Sequence, residues 1–493
     1  MEQIQHVECW DILELILPTI VGKHGELGGM LEGKVIFSKG SRVREVTAFI
    51  DSSGEYRVRF MPDEPGEWLY EVSIGSMDLI SGRSTGKIFC TAPREGNSGP
   101  VGIIGDKDFC YADGTPYYPF STTCLNGFGQ AQVESTIASI AQAPFNKIRF
   151  CLDNSIDDFT VIEEVLVRLM SLGVEAELLL DCGIEEPQAA AFVQQTVTRL
   201  AAYRNVWWSL LIRGEQASVE LNKLKLLRIL EDRDPYHHLV TIHSTNPLSD
   251  YGNRGLTHVS LQGMDPSQVS YYAGLHRKPI LMEACGCEGD ASTLWGSLPG
   301  EEMTNRIWES VCRGGYAGYG EMFLLPDGSS WHNDGGCLQG SAVTRIAFLR
   351  RILEEAPLGL RYMPIFYDAA TVGCEGEYYL QYFGIHRFPS RQLQLPEGRY
   401  TVEIIDVWNM TVTAVVGIFD QNIAVNLPTL PFHALRISRW YPQEIMSKRK
   451  YDLSLKGAGI EAFTESSSYN KKLSSVIQHA EQKDNYTKDH SKR

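Results

Sequence analysis

Asn205-Val-Trp-Trp-Ser-Leu-Leu-Ile-Arg213 and Lys278-Pro-Ile-Leu-Met-Glu-Ala284 are short, almost wholly apolar runs that each lead into a loop. An apolar run without alternation predicts a strand that is covered on both faces, as in parallel sheets. From about residue 115 onward, such strands alternate with helical stretches, and eight strands can be assigned. The sequence therefore predicts a (β/α)8 barrel, the TIM-barrel fold, over residues 115–358.

The predicted barrel strands follow one another within about 240 residues, the usual length of such a barrel. They cover residues 117–124, 147–152, 174–181, 205–212, 239–244, 257–262, 279–284 and 316–322. Helical periodicity between or after them predicts helices at 133–141, 157–172, 187–203, 220–231, 301–313 and 342–355.

Strand patterns with turn residues between them flank this region on both sides. Alternation such as Glu55-Tyr-Arg-Val-Arg-Phe60 predicts an immunoglobulin-like β-sandwich over residues 1–95, followed by a linker and entry strand at 96–114. A second β-sandwich is predicted at 359–440, and the polar residues 441–493 are predicted to be a disordered tail. The chain is thus expected to be a multidomain α/β protein.

The charge of the chain argues against two classes of partner. Net charge is -16, and the last 53 residues hold 10 Lys/Arg and 7 Asp/Glu, which leaves -19 on residues 1–440. A folded part this acidic repels nucleic acid and anionic membrane surfaces, so neither is an expected partner. A neutral carbohydrate is compatible with it.

Composition also bears on location and cofactors. No apolar run approaches the roughly 18 residues that span a bilayer, and the N-terminus lacks a basic and an apolar segment typical of a secretory signal, so the expected location is the cytoplasm. The 11 scattered cysteines fit buried thiols in a reducing compartment. Cys285-Gly-Cys287 has no second pair at zinc-ligand spacing, so neither a metal nor an organic cofactor is predicted.

Six longer strings carry a resemblance to a known family. They are Tyr56-Arg-Val-Arg-Phe-Met-Pro-Asp-Glu-Pro-Gly-Glu-Trp68, Tyr111-Ala-Asp-Gly-Thr-Pro-Tyr-Tyr-Pro-Phe120, Pro144-Phe-Asn-Lys-Ile-Arg149, Ala202-Tyr-Arg-Asn-Val-Trp-Trp-Ser-Leu210, Gly314-Gly-Tyr-Ala-Gly-Tyr-Gly-Glu321 and Ile405-Asp-Val-Trp-Asn-Met-Thr411. With these strings in this order, residues 6–440 resemble the apiosidase-like glycoside hydrolases that carry a C-terminal β-domain. The resemblance implies the order sandwich, barrel, sandwich and an oligosaccharide as the partner.

The chain departs from this family at its two catalytic positions. In the family, the fourth and seventh barrel strands end in Asn-Glu and Asp-Glu, and the final glutamates are the acid/base and the nucleophile of a retaining mechanism. The matching residues here are Ile212-Arg213 and Glu283-Ala284. Arginine stays protonated and alanine has no nucleophile, so neither Arg213 nor Ala284 can replace a catalytic carboxyl group.

Three glutamates are candidates for a displaced catalytic role. Glu215 follows Arg213 by two residues, with a solvated loop glutamate as the alternative. Glu283 precedes Ala284, and its one-residue offset predicts a side chain on the outer face unless a bulge corrects it. Glu321 ends the predicted eighth strand and matches a family glutamate, with a structural ion pair as the alternative.

Seven further residues are candidates for binding the sugar at the C-terminal ends of the strands. Polar donors can bond sugar hydroxyl groups, and exposed aromatic rings can stack on sugar rings. Each candidate has the alternative of an ordinary core or loop residue. The seven are His243, His258, Gln262, Glu288, Trp295, Trp331 and His332.

The loops after predicted strands two and three are much shorter than the family's long pocket walls, which predicts a shallow, open site. Lost carboxylates and lost walls together favour a degenerate barrel that binds carbohydrate without cleaving it. Two alternatives stay open: an active retaining glycosidase with displaced carboxylates, and a structural or interaction protein that binds no sugar.

Overall fold

The computed structural model describes residues 5–17, 33–74, 85–129, 131–156, 158–181, 186–212, 217–244, 250–263 and 265–442. Nearly all of the predicted tail lies outside these ranges. The chain divides into two compact units. Unit 1 comprises Met1–Asp113, Ser121–Gln262 and Leu324–Leu338, and unit 2 comprises Gly114–Phe120, Gly263–Phe323 and Gln339–Arg493.

The N-terminal region is built from strands, as its alternation predicts. They are β1 Gln5–Glu8, β2 Leu13–Ile16, β3 Gly33–Lys39, β4 Arg42–Thr47, β5 Phe49–Ile50, β6 Tyr56–Phe60, β7 Gly66–Ile74, β8 Thr85–Thr91, β9 Val101–Ile104, β10 Asp108–Tyr111 and β11 Pro116–Tyr117. Five of them form a sheet in the order β1-β8-β7-β3-β4, three form β2-β6-β5 and three form β11-β10-β9. The first two sheets share one apolar core, in which Phe37 of β3 stacks on Phe60 of β6 with ring centroids 3.9 Å apart. Its classification as an immunoglobulin-like sandwich stays a prediction.

The central region contains eight strands of one parallel, nearly closed sheet, which confirms the barrel. They are β12 Phe120–Thr123, β13 Lys147–Asp153, β14 Glu175–Asp181, β15 Val206–Ile212, β16 Val240–Ser244, β17 Val259–Gln262, β18 Ile280–Ala284 and β20 Tyr316–Tyr319. Their order in the sheet is β16-β15-β14-β13-β12-β20-β18-β17. The two end strands also approach each other, since Thr257 N donates to the Val240 carbonyl at 2.8 Å.

The helices of this region alternate with its strands. They are α1 Val133–Gln142, α2 Thr160–Ser171, α3 Glu186–Leu200, α4 Ala217–Arg233, α5 Gln268–Leu275, α6 Gly300–Cys312, α7 Trp331–Asp334 and α8 Ala342–Glu354. The short α5 and α7 were not predicted, because each is too brief to establish helical periodicity. None of the described helices is long and apolar enough to cross a membrane. Only residues 154–159 and 182–185 separate β13 from α2 and β14 from α3, as the short predicted loops require.

The predicted eighth strand, residues 316–322, is two strands in the structure. After β20, Glu321–Met322 forms β21, which pairs in parallel with β19, Glu288–Gly289. Gly320 separates them, and a side chain there would place its Cβ 2.5 Å from Cys287 Sγ. The chain can therefore leave the barrel only at a glycine, and Glu321 lies in a small separate sheet beside Glu288.

The C-terminal region is again made of strands. They are β22 Arg361–Tyr362, β23 Ala370–Cys374, β24 Tyr378–Tyr382, β25 Ser390–Gln394, β26 Tyr400–Asp406, β27 Thr411–Ala414, β28 Asn422–Asn426 and β29 His433–Arg439. Six form a sheet in the order β22-β23-β24-β29-β26-β27, and β25 pairs with β28. Residues of both sheets, such as Leu435 and Val425, pack in one apolar core. The exact domain boundaries, and the sandwich classification, stay predictions.

Candidate functional site

A chain of charged side chains runs through the barrel interior of unit 1. Lys147 Nζ pairs with Glu177 Oε2, and Arg149 Nε lies 3.2 Å from Glu177 Oε1. At most 1% of each of these three side chains is exposed. Burial alone raises the pKa of the Glu177 carboxyl, but Arg149 and Lys147 more than offset this and hold that pKa well below its ordinary range. The interior thus holds fixed ionised groups where barrels usually have branched apolar residues.

Arg149 connects these charged side chains to His243, which lies near the C-terminal end of β16. Arg149 Nη2 lies 2.9 Å from His243 Nδ1. Because a guanidinium group can only donate, His243 Nδ1 must accept, and the ring proton is then on Nε2. The His243 side chain is half-buried, so its protonated Nε2 belongs to a partly accessible ring.

His332 is the second histidine beside Arg149. Burial, and then the positive charge of Arg149, lower its pKa to about 4, so the ring is neutral near pH 7. Among the described residues, its buried Nδ1 has no hydrogen-bond partner. We call Arg149, His243 and His332 the mouth cluster: His243 lies near the C-terminal end of β16, His332 lies in the segment 324–338, and the buried Arg149 of β13 interacts with both.

The other predicted binding residues of unit 1 have different surroundings. His258 is fully buried, its ring packs edge-on against Trp207 with centroids 5.4 Å apart, and Thr257 Oγ1 lies 3.0 Å from its Nδ1. Trp331 is 2% exposed and donates from Nε1 to Thr122 Oγ1 at 2.8 Å. Gln262 is half-buried at the end of β17, and its Oε1 lacks a partner within the described ranges. Of these three, only Gln262 resembles His243 and His332 in being half-buried.

In unit 2, Glu288 and Glu321 meet at one phenol. Tyr319 Oη lies 2.7 Å from Glu321 Oε2 and 3.0 Å from Glu288 Oε2. We call Glu288, Tyr319 and Glu321 the carboxyl cluster. All three residues are 1–2% exposed, and burial raises the pKa of the Glu321 carboxyl and the pKa of the Tyr319 hydroxyl.

Backbone amides and one hydroxyl occupy the remaining acceptor positions of the carboxyl cluster. Glu321 accepts from Gln339 N at 2.8 Å and Gly340 N at 2.7 Å. Glu288 accepts from Ser341 N at 2.7 Å, Ser341 Oγ at 2.8 Å and Ala342 N at 3.0 Å. Since Ser341 and Ala342 begin α8, the Glu288 carboxylate lies at the positive end of that helix.

Glycines make this approach possible. A Cβ on Gly340 would lie 1.8 Å from Tyr319 Oη, and one on Gly300, at the start of α6, would lie 2.7 Å from Glu288 Oε1. The residues from 339 to 342 are thus packed directly on the two carboxyl groups.

The remaining predicted residues have less distinctive positions. Glu283 on β18 is 2% exposed and Ala284 is half-buried. Trp295 is half-buried in the short 3-10 turn Leu294–Gly296, and its carbonyl accepts from Cys287 N at 2.6 Å. Arg213 and Glu215 lie outside the described residues, and their positions stay predictions.

Four functional-site neighbours were not singled out in the sequence: Lys147, Arg149, Glu177 and Tyr319. A signal existed for three of them. Lys147 and Arg149 alternate within one apolar run, as Glu175 and Glu177 do in the next, and such a period of two puts all four side chains on one face. Opposite charges on neighbouring parallel strands predict a buried ion pair. Tyr319 carries no comparable signal. No group of residues suited to a metal ion occurs in the described part of the chain.

Two family models match the ends of this architecture. Residues 6–75 match a domain of unknown function, DUF5060, and residues 367–438 match another, DUF5605. No curated protein sequence matches the chain.

Solved structures similar to the chain include glycoside hydrolases. A "putative glycoside hydrolase" from Bacteroides vulgatus is 28% identical with a TM-score of 0.80, over 88% of this chain and 100% of that one. A family 5 glycoside hydrolase from Bacteroides vulgatus is 12% identical with a TM-score of 0.58, over 70% of this chain and 94% of that one. The second likeness concerns the fold alone. Together with the barrel, these likenesses make the chain glycoside-hydrolase-like.

Proposed function

We propose that this chain is a carbohydrate-binding member of the glycoside-hydrolase-like proteins that does not cleave its ligand, and that it belongs to the apiosidase-like subgroup. The observation that carries the proposal is the burial of the described candidate carboxylates. Glu283, Glu288 and Glu321 are 2%, 2% and 1% exposed. A retaining hydrolase needs two carboxyl groups in contact with the sugar, one on each side of the scissile bond.

The mouth cluster supports the binding part of the proposal. His243 and His332 are both neutral near pH 7 by the argument above, both are half-buried, and both can exchange hydrogen bonds with hydroxyl groups. A sugar hydroxyl both donates and accepts, so it suits the half-buried imidazole rings of His243 and His332. We propose these two residues and Gln262 as the principal contacts.

Binding and hydrolysis are tested on the same purified protein. Oligosaccharides are titrated in a calorimeter, and aryl glycosides are offered as substrates. We expect measurable binding, no turnover, and a loss of affinity of about three- to tenfold in His243→Ala and in His332→Ala, the effect of one hydrogen bond. His386→Ala, which removes an exposed histidine of the C-terminal region, is the matched control and should leave affinity unchanged. Absence of any sugar binding would favour a structural or interaction protein.

One observation favours the second candidate, an active retaining glycosidase. The Glu288 and Glu321 carboxyl oxygens both lie within hydrogen-bond distance of one hydroxyl. They are therefore no more than about 6 Å apart, near the roughly 5 Å separation of retaining enzymes. A raised pKa at Glu321 is also what a general acid requires. Turnover that Glu321→Gln abolishes, while His332→Ala only weakens it, would establish this candidate instead.

A further inference from the structure

The hydrogen bonds of the carboxyl cluster require more protons than its ordinary ionisation provides. Tyr319 Oη has one proton but lies within hydrogen-bond distance of two carboxyl oxygens, at 2.7 Å from Glu321 Oε2 and 3.0 Å from Glu288 Oε2. If both carboxyl groups were ionised, one of these two contacts would be between lone pairs. A second proton, on a carboxyl group, removes that conflict.

The described residues around the cluster supply no cation that would stabilise two negative charges. Among the described residues, neither Glu288 nor Glu321 forms an ion pair with a basic side chain. The nearby Glu302, in the first turn of α6, pairs with Arg306 at 2.7 Å, and Arg345 of α8 donates to the Ser341 and Trp408 carbonyls. Cys287 is neutral, because burial raises its pKa to about 12. Two unpaired charges at 1–2% exposure are costly, whereas one is stabilised by helix N-termini and amides.

The donors decide which carboxyl group holds the proton. Glu288 accepts from two backbone amides and a serine hydroxyl at the start of α8, and it also lies beside the start of α6. Glu321 accepts from only two amides besides the phenol. The group with more donors and two helix N-termini is the better place for the negative charge.

We propose that Glu321 is a neutral carboxylic acid at neutral pH. Its carboxyl group donates a hydrogen bond to the Tyr319 hydroxyl, and this hydroxyl donates to an ionised Glu288. This proton-dependent series of hydrogen bonds positions residues 339–342. Glu321 is thereby a positioning residue for the segment that follows the loop carrying Trp331 and His332. Loss of the proton at alkaline pH puts two negative charges on one phenol and loosens residues 339–342. The inference does not depend on sugar binding.

The sign of the pH effect follows from linkage. A carboxyl group whose pKa is raised in the folded state holds a proton that the unfolded chain has lost. Its stabilising contribution is complete below the ordinary carboxyl pKa and is lost as pH rises through the raised pKa. The chain should therefore lose stability at alkaline pH through this cluster.

Infrared spectroscopy tests for the proton directly. All proteins carry Glu175→Gln, because burial raises the pKa of Glu175 to about 8 and its carboxyl group would contribute the same signal. We expect a protonated-carboxyl band at pH 7 that Glu321→Gln removes and Glu288→Gln does not. Absence of the band in the parent protein, or its persistence in Glu321→Gln, would overturn the proposal. Absence of the band in the Glu175→Gln parent would by itself overturn the proposal, so the test keeps a decisive outcome even if Glu321→Gln fails to fold.

Melting and hydrogen exchange test the positioning role. As pH rises from 6 to 9, the parent should lose more in melting temperature than Glu321→Gln does, by about 1–2 °C for each kcal/mol of lost stability in a chain of this length. Exchange of the amides of residues 339–342, corrected for its intrinsic pH dependence, should rise over the same pH interval in the parent and stay flat in Glu321→Gln. Equal pH profiles of melting temperature and amide exchange in the two proteins would contradict the proposal. Glu321 would then contribute a structural hydrogen bond that does not depend on its proton.

Discussion

The mouth cluster of unit 1 and the carboxyl cluster of unit 2 both consist of polar side chains, yet their hydrogen-bonding capacity is used differently. In the carboxyl cluster, four backbone amides and two hydroxyl groups occupy the carboxyl oxygens, and exposure is 1–2%. In the mouth cluster, two histidine rings are half-buried and His332 Nδ1 has no partner among the described residues. The first arrangement fixes the fold, and the second leaves capacity for a ligand.

The difference has a physical origin in the charges beneath each cluster. Beneath the mouth cluster, two cations surround Glu177, and the positive charge of Arg149 helps to keep His332 neutral near pH 7. The carboxyl cluster has no basic partner within the described residues and depends on helix N-termini instead. We therefore expect the two clusters to respond differently to mutation and to pH.

The largest expected effect is on the ion chain that supports the mouth cluster. Glu177→Ala removes the buried carboxylate that pairs with both Lys147 and Arg149, whose side chains are at most 1% exposed. Removing one partner of a buried ion pair costs about 3–5 kcal/mol, so the free energy of unfolding in urea should fall by that amount. Sugar binding should be lost with it.

A matched control comes from an exposed pair. Lys34 and Glu45 are joined at 2.5 Å with side-chain exposures of 43% and 53%, and Glu45→Ala should change the free energy of unfolding by less than about 1 kcal/mol. If Glu177→Ala changed the free energy of unfolding as little as this control, the mouth cluster would not depend on the ion pairs of Glu177.

A smaller effect is expected from crowding the carboxyl cluster. In Gly340→Ala the new methyl group would lie 1.8 Å from Tyr319 Oη and 2.5 Å from Glu288 Oε2, so these groups must separate. Overpacking of this kind costs about 1–3 kcal/mol in the free energy of unfolding. Gly274→Ala is the control, since no atom lies within 4 Å of its added methyl group in α5, and it should be neutral or stabilising. A neutral Gly340→Ala would mean that residues 339–342 are not held against the cluster.

Much of the barrel could be predicted because its signal is local. Apolar runs such as residues 205–212 and the helices between them are readable from periodicity, and the structure places eight parallel strands there. The departure of the chain at Gly320 was not predictable. It depends on a close approach between Gly320 and Cys287, which are 33 residues apart, and apolar periodicity carries no information about such contacts.

Prediction of the candidate sites from sequence has the same limit, because it cannot show contacts between distant residues. Residue type and position predict His243 and His332 as binding residues, whereas Arg149, which contacts His243 and lies beside His332, was not predicted as a site residue. Glu288 and Glu321 were also identified, but not that one tyrosine joins them, because the amides of residues 339–342 that complete the cluster have no side-chain signature. Residue type indicates which groups could act, and only the backbone around them decides whether they are already occupied.

The last expected effect is the response of stability to acid, and its sign distinguishes the mouth cluster from the carboxyl cluster. The pKa of His332 is lowered to about 4 in the folded protein. Between pH 6.5 and pH 4 its imidazole is therefore protonated in the unfolded chain but not in the folded protein. Stability contributed by neutral His332 is therefore complete above its ordinary pKa and lost as pH falls, by about 2 kcal/mol at pH 5. His332→Gln should be less sensitive to acid by this amount in urea unfolding at pH 5 and pH 8, and His386→Gln should match the parent. Acid would thus lower the stability that the mouth cluster contributes, whereas alkali would lower the stability that the carboxyl cluster contributes. If both contributions changed with pH in the same direction, the distinction between the two clusters would be refuted.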